Sequence, residues 1–182
     1  TRWSGDWSSD VCSSDLATIE ISKVDGPVYL RFGRPKVPNF TEANGSFKIG
    51  QGILLKEGSD ITIVATGHLV WEALEASIEL DKSGISCEII NIHTIKPLDE
   101  EIILKSVSKT GCLVSAEEHN IFGGLGESVS RTLTLNDPVP QEFVGTRDTF
   151  GESGTPSELM KKYGLDKDSI IKASKKVLQR KS

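Results

Sequence analysis

From Phe47 onward, short apolar runs of strand type alternate with amphipathic helical stretches, and that alternation leaves little freedom of fold. The strand candidates are Gly52–Lys56 (GILLK), Asp60–Ala65 (DITIVA), Ser86–Ile92 (SCEIINI), Cys112–Ala116 (CLVSA) and Gln141–Gly145 (QEFVG). Leu69, Ala73, Ala76 and Leu80 recur at helical spacing, with Glu72, Glu75, Glu79 and Lys82 on the other side. They predict a helix over His68–Ser83, capped by Thr66 and ended by Gly84. Pro97 opens a second helix, with Asp99, Glu100 and Glu101 in its first turn, Lys109 in its last and Gly111 as its end. Glu117–Gly126 reads as a Gly-rich bend into a third helix near Glu127–Leu135. Thr155-Pro156-Ser157-Glu158 is a capping box whose helix stops at Gly164, and Asp166 caps a last helix over Lys167–Arg180. Only Glu57-Gly58-Ser59 separates the first two strands, which are therefore predicted to pair antiparallel; helices join the others, which favours parallel pairing. The predicted fold is a three-layer α/β/α domain with a mainly parallel, mixed sheet.

Ahead of this domain lies GPVYLRFGRPKVP, Gly26–Pro38, in which Val28, Tyr29, Leu30 and Phe32 form a short run of strand type. It breaks at Gly33, presents Arg34 and is stopped by Pro35 and Pro38. Ala17–Asp25 is too short to supply a sheet for such a strand. The run is expected to be the last strand of a domain that is otherwise missing, as in a fragment or one subunit of a divided enzyme. Asn39–Ser46 is polar and turn-rich, a predicted linker. Gly5–Leu16 has no hydrophobic periodicity and no signal-peptide pattern. Its Asp6–Leu16 portion reads as the translation of a common sequencing-adapter oligonucleotide, so residues 1–16 are expected to be a non-native scar. The expected division is thus 1–16, 17–38, 39–46 and 47–182.

Composition narrows the classes of function. The formal charge of −5 softens to −3 once Arg2, Asp6, Asp10 and Asp15 are set aside, which argues against a nucleic-acid surface. No apolar stretch approaches the ~20 residues that span a bilayer. Of three cysteines Cys12 falls in the scar, while Cys87 and Cys112 sit in apolar strand-like runs without metal-ligand spacing. A soluble, reduced, cytoplasmic protein is expected.

Several residues invite a chemical reading. Gly123-Gly124-Leu125-Gly126 before a helix can offer free amides to an anion, but it lacks a dinucleotide or P-loop spacing, and a tight turn with close helix–sheet packing is the better reading. His93 and His119 follow strand ends, where open α/β sheets bind ligands, yet no Ser, Cys or metal partner accompanies them. These two and His68, at a helix start, are read as hydrogen-bonded structural histidines. Glu117 and Glu118 form an acidic pair, for which a solvated or loop-bonding role is favoured over acid–base chemistry. Lys172, Lys175, Lys176 and Arg180 are a solvated helix face suited to the C-terminal dipole. Arg31 is expected to meet a neighbour or solvent.

Four blocks, GPVYLRFGRP, ATGHLVWEALEA, INIHTIKPLDEE with VSAEEHNIFGGLGE, and FGESGTPSELMKKYGL, together resemble the C-terminal portion of transketolase, from Asp25 to about Lys176. The smaller, C-terminal subunit of transketolases encoded as two chains offers the best likeness. The resemblance implies an enzyme that moves two-carbon ketol units between sugar phosphates with thiamine diphosphate and a divalent metal such as magnesium. It makes residues 17–38 a remnant of the pyrimidine-binding domain and 47–182 the C-terminal domain, with a largely structural role. The activating glutamate, the cofactor pocket and the metal motif would lie in other segments, so no catalytic, cofactor or metal residue is assigned here and this chain alone is expected to bind no cofactor and show no activity. Its expected partners are the larger N-terminal subunit or the missing N-terminal domains, in a dimeric assembly. Arg34 is the one residue carried over, as a contact to the substrate phosphate, where a guanidinium gives bidentate, charge-assisted bonds. The alternatives are another thiamine diphosphate enzyme, such as a deoxyxylulose phosphate synthase or a 2-oxoacid dehydrogenase β-subunit, or a non-catalytic interaction module.

Overall fold

The computed structural model describes residues 11–31 and 47–181. Its elements run α1 (Val11–Ile21), β1 (Ile53–Lys56), β2 (Ile61–Ala65), α2 (Leu69–Lys82), β3 (Cys87–Asn91), α3 (Glu100–Thr110), β4 (Leu113–Asn120), α4 (Leu125–Asn136), β5 (Gln141–Thr146), α5 (Pro156–Lys162) and α6 (Lys167–Leu178). The five strands form one sheet in the order β1-β3-β2-β4-β5, parallel except for β1.

Side-chain alternation along the strands splits the interior in two. Ile61, Ile63 and Ala65 of β2, with Cys87, Ile89, Val114 and Ala116, pack against Leu69, Ala73, Ala76 and Leu80 of α2 and Ile170, Ala173 and Val177 of α6. Val64, Ile90, Ile92 and Leu113 point the other way, onto Ile103 and Val107 of α3 and Leu125, Val129 and Leu133 of α4. The architecture is the predicted three-layer α/β/α domain. Thr62 meets α3 through a closed hydroxyl cluster, its Oγ1 lying 2.6 Å from both Ser106 Oγ and Thr110 Oγ1. Burying those hydroxyls is tolerable because each has a partner.

Five local expectations need correction. β1 and β2 are antiparallel in direction but do not pair: β1 bonds to β3, with Ile53 opposite Asn91 and Leu54 opposite Ile90, and β3 lies between them. The short connection crosses the start of β3, which Gly58 permits, since a Cβ there would overlap the Cys87–Glu88 backbone. Asp60 pins the crossing by accepting from Ser86 N at 2.7 Å, and the nearly buried Glu88 receives Gly58 N at 3.3 Å and the Lys109 ammonium. Second, α2 starts after His68 rather than being capped by Thr66, whose backbone N–H goes to Ala116 O at 3.1 Å. Third, Pro97 precedes α3 rather than opening it; Asp99 is the cap, accepting from Ile102 N at 3.2 Å and from Gly52 N at 2.7 Å. Fourth, β4 runs on through Glu117–Asn120, and α4 begins at Leu125, two residues early. Fifth, Val28–Arg31 is not in a strand: Tyr29 is 89% exposed, and strand propensity without a partner strand fixes no conformation. Phe32 and the predicted linker lie outside the described residues.

At the other end of the chain the expected caps are present. Glu158 accepts from Thr155 N at 3.0 Å, and Asp166 accepts from Ser169 N at 3.0 Å. The N-terminal stretch, which lacks an apolar stripe, nevertheless contains α1, whose Ile19 is exposed and whose Ala17 is buried. Among the described residues no helix is long and apolar enough to cross a membrane.

The Gly58 crossing makes a sharp demand on sequence. Gly58→Ala is expected to lower stability by about 3 kcal/mol in urea denaturation, because rigid backbone stands where its methyl must go. Gly151→Ala, with nothing near its Cβ position, is expected to stay within about 0.5 kcal/mol of the parent.

Candidate functional site at the C-terminal edge of the sheet

The connection after β2 leads to α2 on one face, whereas the connection after the adjacent β4 leads to α4 on the other. Two neighbouring strands whose exits diverge leave a crevice at their C-terminal ends, the place where open α/β sheets take ligands. His68, Glu117, Glu118 and the glycine turn before α4 lie at this end of the sheet.

The acidic pair lies in the second half of β4, so strand alternation sends its two carboxylates to opposite faces. Glu117 is 3% exposed. Its Oε2 accepts from Leu125 N and its Oε1 from Gly126 N, both at 2.8 Å. It thus caps α4 from outside the helix, joining a negative charge to orphan amides and to the positive end of the helix dipole. Gly124 is needed because any side chain there would collide with the Glu117 carboxylate, and Gly126 because Phe143 and Ser115 crowd its Cβ position. The glycine run is therefore a packed turn, as the sequence reading favours, and the Leu125 and Gly126 amides are already taken.

Glu118 goes to the α2 face, where its Oε2 lies 3.2 Å from Nδ1 of His68. His68 is 7% exposed, and its Nε2 is buried without a partner among the described residues. The His68 hydrogen bond holds the Glu118 carboxyl below the ordinary carboxylate value of 4.5, against the opposing effect of burial and with further help from the Arg31 guanidinium. His68 is hydrogen-bonded, as the sequence reading expects, and its partner was not foreseen. Glu118 lies fifty positions on in the chain, and only the adjacency of β2 and β4 joins them. Glu117 as a cap left a fainter signal, in the glycines that follow it.

The other histidines do not join this group. His93 Nδ1 is 2.9 Å from Thr94 Oγ1 and its ring stacks on Phe47 at 4.0 Å, and burial lowers its pKa. His119 is exposed, with Nδ1 3.0 Å from Asn120 O. Lys176 and Arg180 are less free than a solvated face implies, for both bind Glu142, at 2.8 and 2.6 Å. Burial pushes the Cys87 thiol up to about 12 and raises that of Cys112, so both behave as small hydrophobes. Arg34 lies outside the described residues. Among those described, no group of three or more His, Cys, Asp or Glu could hold a metal, and the spoken-for amides before α4 make no cradle for a diphosphate. These residues do not fit thiamine diphosphate or its metal.

The sheet order, the divergent exits and the capped glycine turn define a three-layer α/β/α domain with a mixed sheet. Residues 50–170 match the family model for the transketolase C-terminal domain, and the chain belongs to that family. It is 46% identical over 158 residues to the 6-deoxy-6-sulfo-D-fructose transketolase subunit of a Clostridium species, covering 87% of this chain and 49% of that protein. With a subunit of the apulose-4-phosphate transketolase of Phocaeicola vulgatus it shares 40% identity over 149 residues, 81% of this chain and 47% of that one. A 1-deoxy-D-xylulose-5-phosphate synthase of Geobacter sulfurreducens is 36% identical over 162 residues, 86% of this chain and 25% of its own length. Among solved structures, a chain described as a split-gene transketolase, in an inactive β4 tetramer, superposes with a TM-score of 0.93 at 39% identity, over 96% of this chain and 57% of that one. The chain thus spans about half the length of the transketolase subunits it matches.

Two outcomes follow from the paired carboxylates. Glu117→Ala leaves the Leu125 and Gly126 amides buried and unpaired, and is expected to cost about 3 kcal/mol in urea denaturation. Glu118 is stabilised as the anion in the folded state, so its contribution is present above pH 4.5 and lost as pH falls through its lowered folded value. Melting temperature followed from pH 6 to pH 3 is expected to fall less steeply in Glu118→Gln than in the parent.

Proposed function

We propose that this chain is the C-terminal part of a transketolase and works with a larger N-terminal subunit, or with N-terminal domains, in an assembly that transfers two-carbon ketol units between sugar phosphates. The observation that carries the reading is the 46% and 40% identity to subunits of two transketolases, above the 36% to the synthase. Thiamine diphosphate, which enzymes of this family use, supplies the carbanion chemistry when bound, and it and a divalent metal are held by the other segments. On this reading residues 17–38 close the pyrimidine-binding domain, residues 47–182 are the C-terminal domain, and the assembly is a cytoplasmic dimer of complete units.

The part of this chain in catalysis is binding and support. Arg34 pairs its guanidinium with the phosphate of the sugar substrate; being remote from the reacting carbons, this contact acts on substrate and transition state alike. The names of two relatives suit a cation in that role, since one acts on a sulfonated sugar and another on a sugar phosphate. A deoxyxylulose phosphate synthase is the second reading, supported by relatives at 33–36% identity.

Kinetics of the complete enzyme test both points. Arg34→Gln is expected to raise KM for a phosphorylated ketose donor about ten- to hundred-fold while kcat changes little, the cost of one charge-assisted contact. An unchanged KM removes Arg34 from the substrate site. Condensation of pyruvate with glyceraldehyde 3-phosphate in place of ketol transfer would establish the synthase.

A further inference from the structure

Two loops at the C-terminal edge of the sheet carry aromatic rings that nothing in the domain covers. Phe122 follows β4 and Phe150 follows β5, and they are 59% and 97% exposed. No other Phe, Tyr or Trp side chain described in residues 47–181 is exposed. Ile95, after β3, is exposed at the same edge. The loops themselves are held. Asn120 ties one to the other, its Oδ1 accepting from Phe122 N and its Nδ2 donating to Asp148 Oδ1, both at 3.1 Å. Tyr163 OH donates to Phe150 O at 3.1 Å, Gly123 N to Glu127 at 2.9 Å, and Lys162 pairs with Glu152 at 2.5 Å. Exposed rings on a fixed backbone lose little freedom when they dock, which suits them as anchors. With Glu127, Asp148 and Glu152 engaged inside the domain, Arg147 is the neighbouring charge left without a partner among the described residues. The surface that fits is an apolar recess with an acceptor beside it.

Area and chain direction together indicate the occupant. Two phenyl rings offer roughly 400 Å², well short of the ~800 Å² per partner typical of stable association between free molecules. A second copy therefore gains too little. A tethered domain needs less, because its link raises the effective concentration. The chain enters at this edge: Phe47 stacks on His93, just past β3, and β1 starts with Ile53 opposite Asn91, the last residue of β3. In the sheet order β5 stands three strand spacings from β3, roughly 14 Å away. This chain matches about half the length of the transketolase subunits. A domain ahead of residue 47 would thus hang from the edge that carries the rings.

We propose that Phe122 and Phe150 are the anchors by which this domain docks onto the domain preceding residue 47 in the complete enzyme; the occupant rests on the reading, given above, of this chain as the C-terminal part of such an enzyme. Asn120 sets the spacing of the two anchors without touching the partner.

Hydrogen exchange, followed in this chain and in the complete enzyme, tests the docking. Amides of residues 121–123 and 148–152 are expected to exchange about ten-fold more slowly in the complete enzyme. Phe122→Ser combined with Phe150→Ser is expected to bring them back to within about two-fold of their rate in this chain, whereas Phe150→Leu, which keeps an apolar tip, retains most of the protection. In this chain the double variant is expected to melt within about 3 °C of the parent, since both rings lie mostly in water. Equal exchange with and without the preceding domain overturns the docking, and so does protection that survives the double variant. Protection that grows with the concentration of this chain alone gives the surface to a second copy and overturns it as well. Protected loops in an enzyme that condenses pyruvate with glyceraldehyde 3-phosphate keep the docking and change only the reaction; unprotected loops in a ketol-transferring enzyme do the reverse.

Discussion

Two consecutive carboxylates in the second half of β4 hold this edge of the domain together. Because a strand alternates its side chains, Glu117 reaches α4 on one face and Glu118 reaches the start of α2 on the other. The sheet order makes these the helices that diverge from neighbouring strands, so the pair braces both walls of the crevice between them. The glycines before α4 follow from this constraint: the turn must come within reach of a buried carboxylate, and Gly124 leaves no side chain in its way. Burying Glu117 is tolerable because backbone amides replace its lost water.

A braced crevice offers placement rather than chemistry. The Leu125 and Gly126 amides are satisfied, and no set of metal ligands gathers among the described residues. Membership of the transketolase C-terminal domain family agrees with that picture.

The layers and most element ends were legible in the sequence because each is set locally. Helical spacing marked the apolar face of α2, Thr155 with Glu158 marked the start of α5, and Asp166 that of α6. Errors arose wherever a distant partner decides. Proximity in sequence suggested that β1 pairs with β2, but β3 takes the place between them, and only the crowding around Gly58 shows how the chain crosses. The glycine run suggested a start for α4 two residues late, because its cap is supplied from β4 instead of from the preceding residue. Val28–Arg31 has strand composition and no strand to join among the described residues. The His68–Glu118 pair was hidden for the same reason, since nothing in either neighbourhood names the other. The resemblance, carried by four blocks spread along the chain, placed the family correctly; its one substrate residue, Arg34, falls outside the described residues.

The central claim is that this chain completes a ketol-transferring enzyme whose cofactor is held elsewhere. Titrating it into a fixed amount of the larger subunit, with thiamine diphosphate and magnesium present, tests that claim most directly. Ketol transfer from a ketose phosphate should be absent from either component alone and should rise to a plateau at one chain per larger subunit. Full activity of the larger subunit without this chain, or a rate that its addition leaves unchanged, would contradict the account.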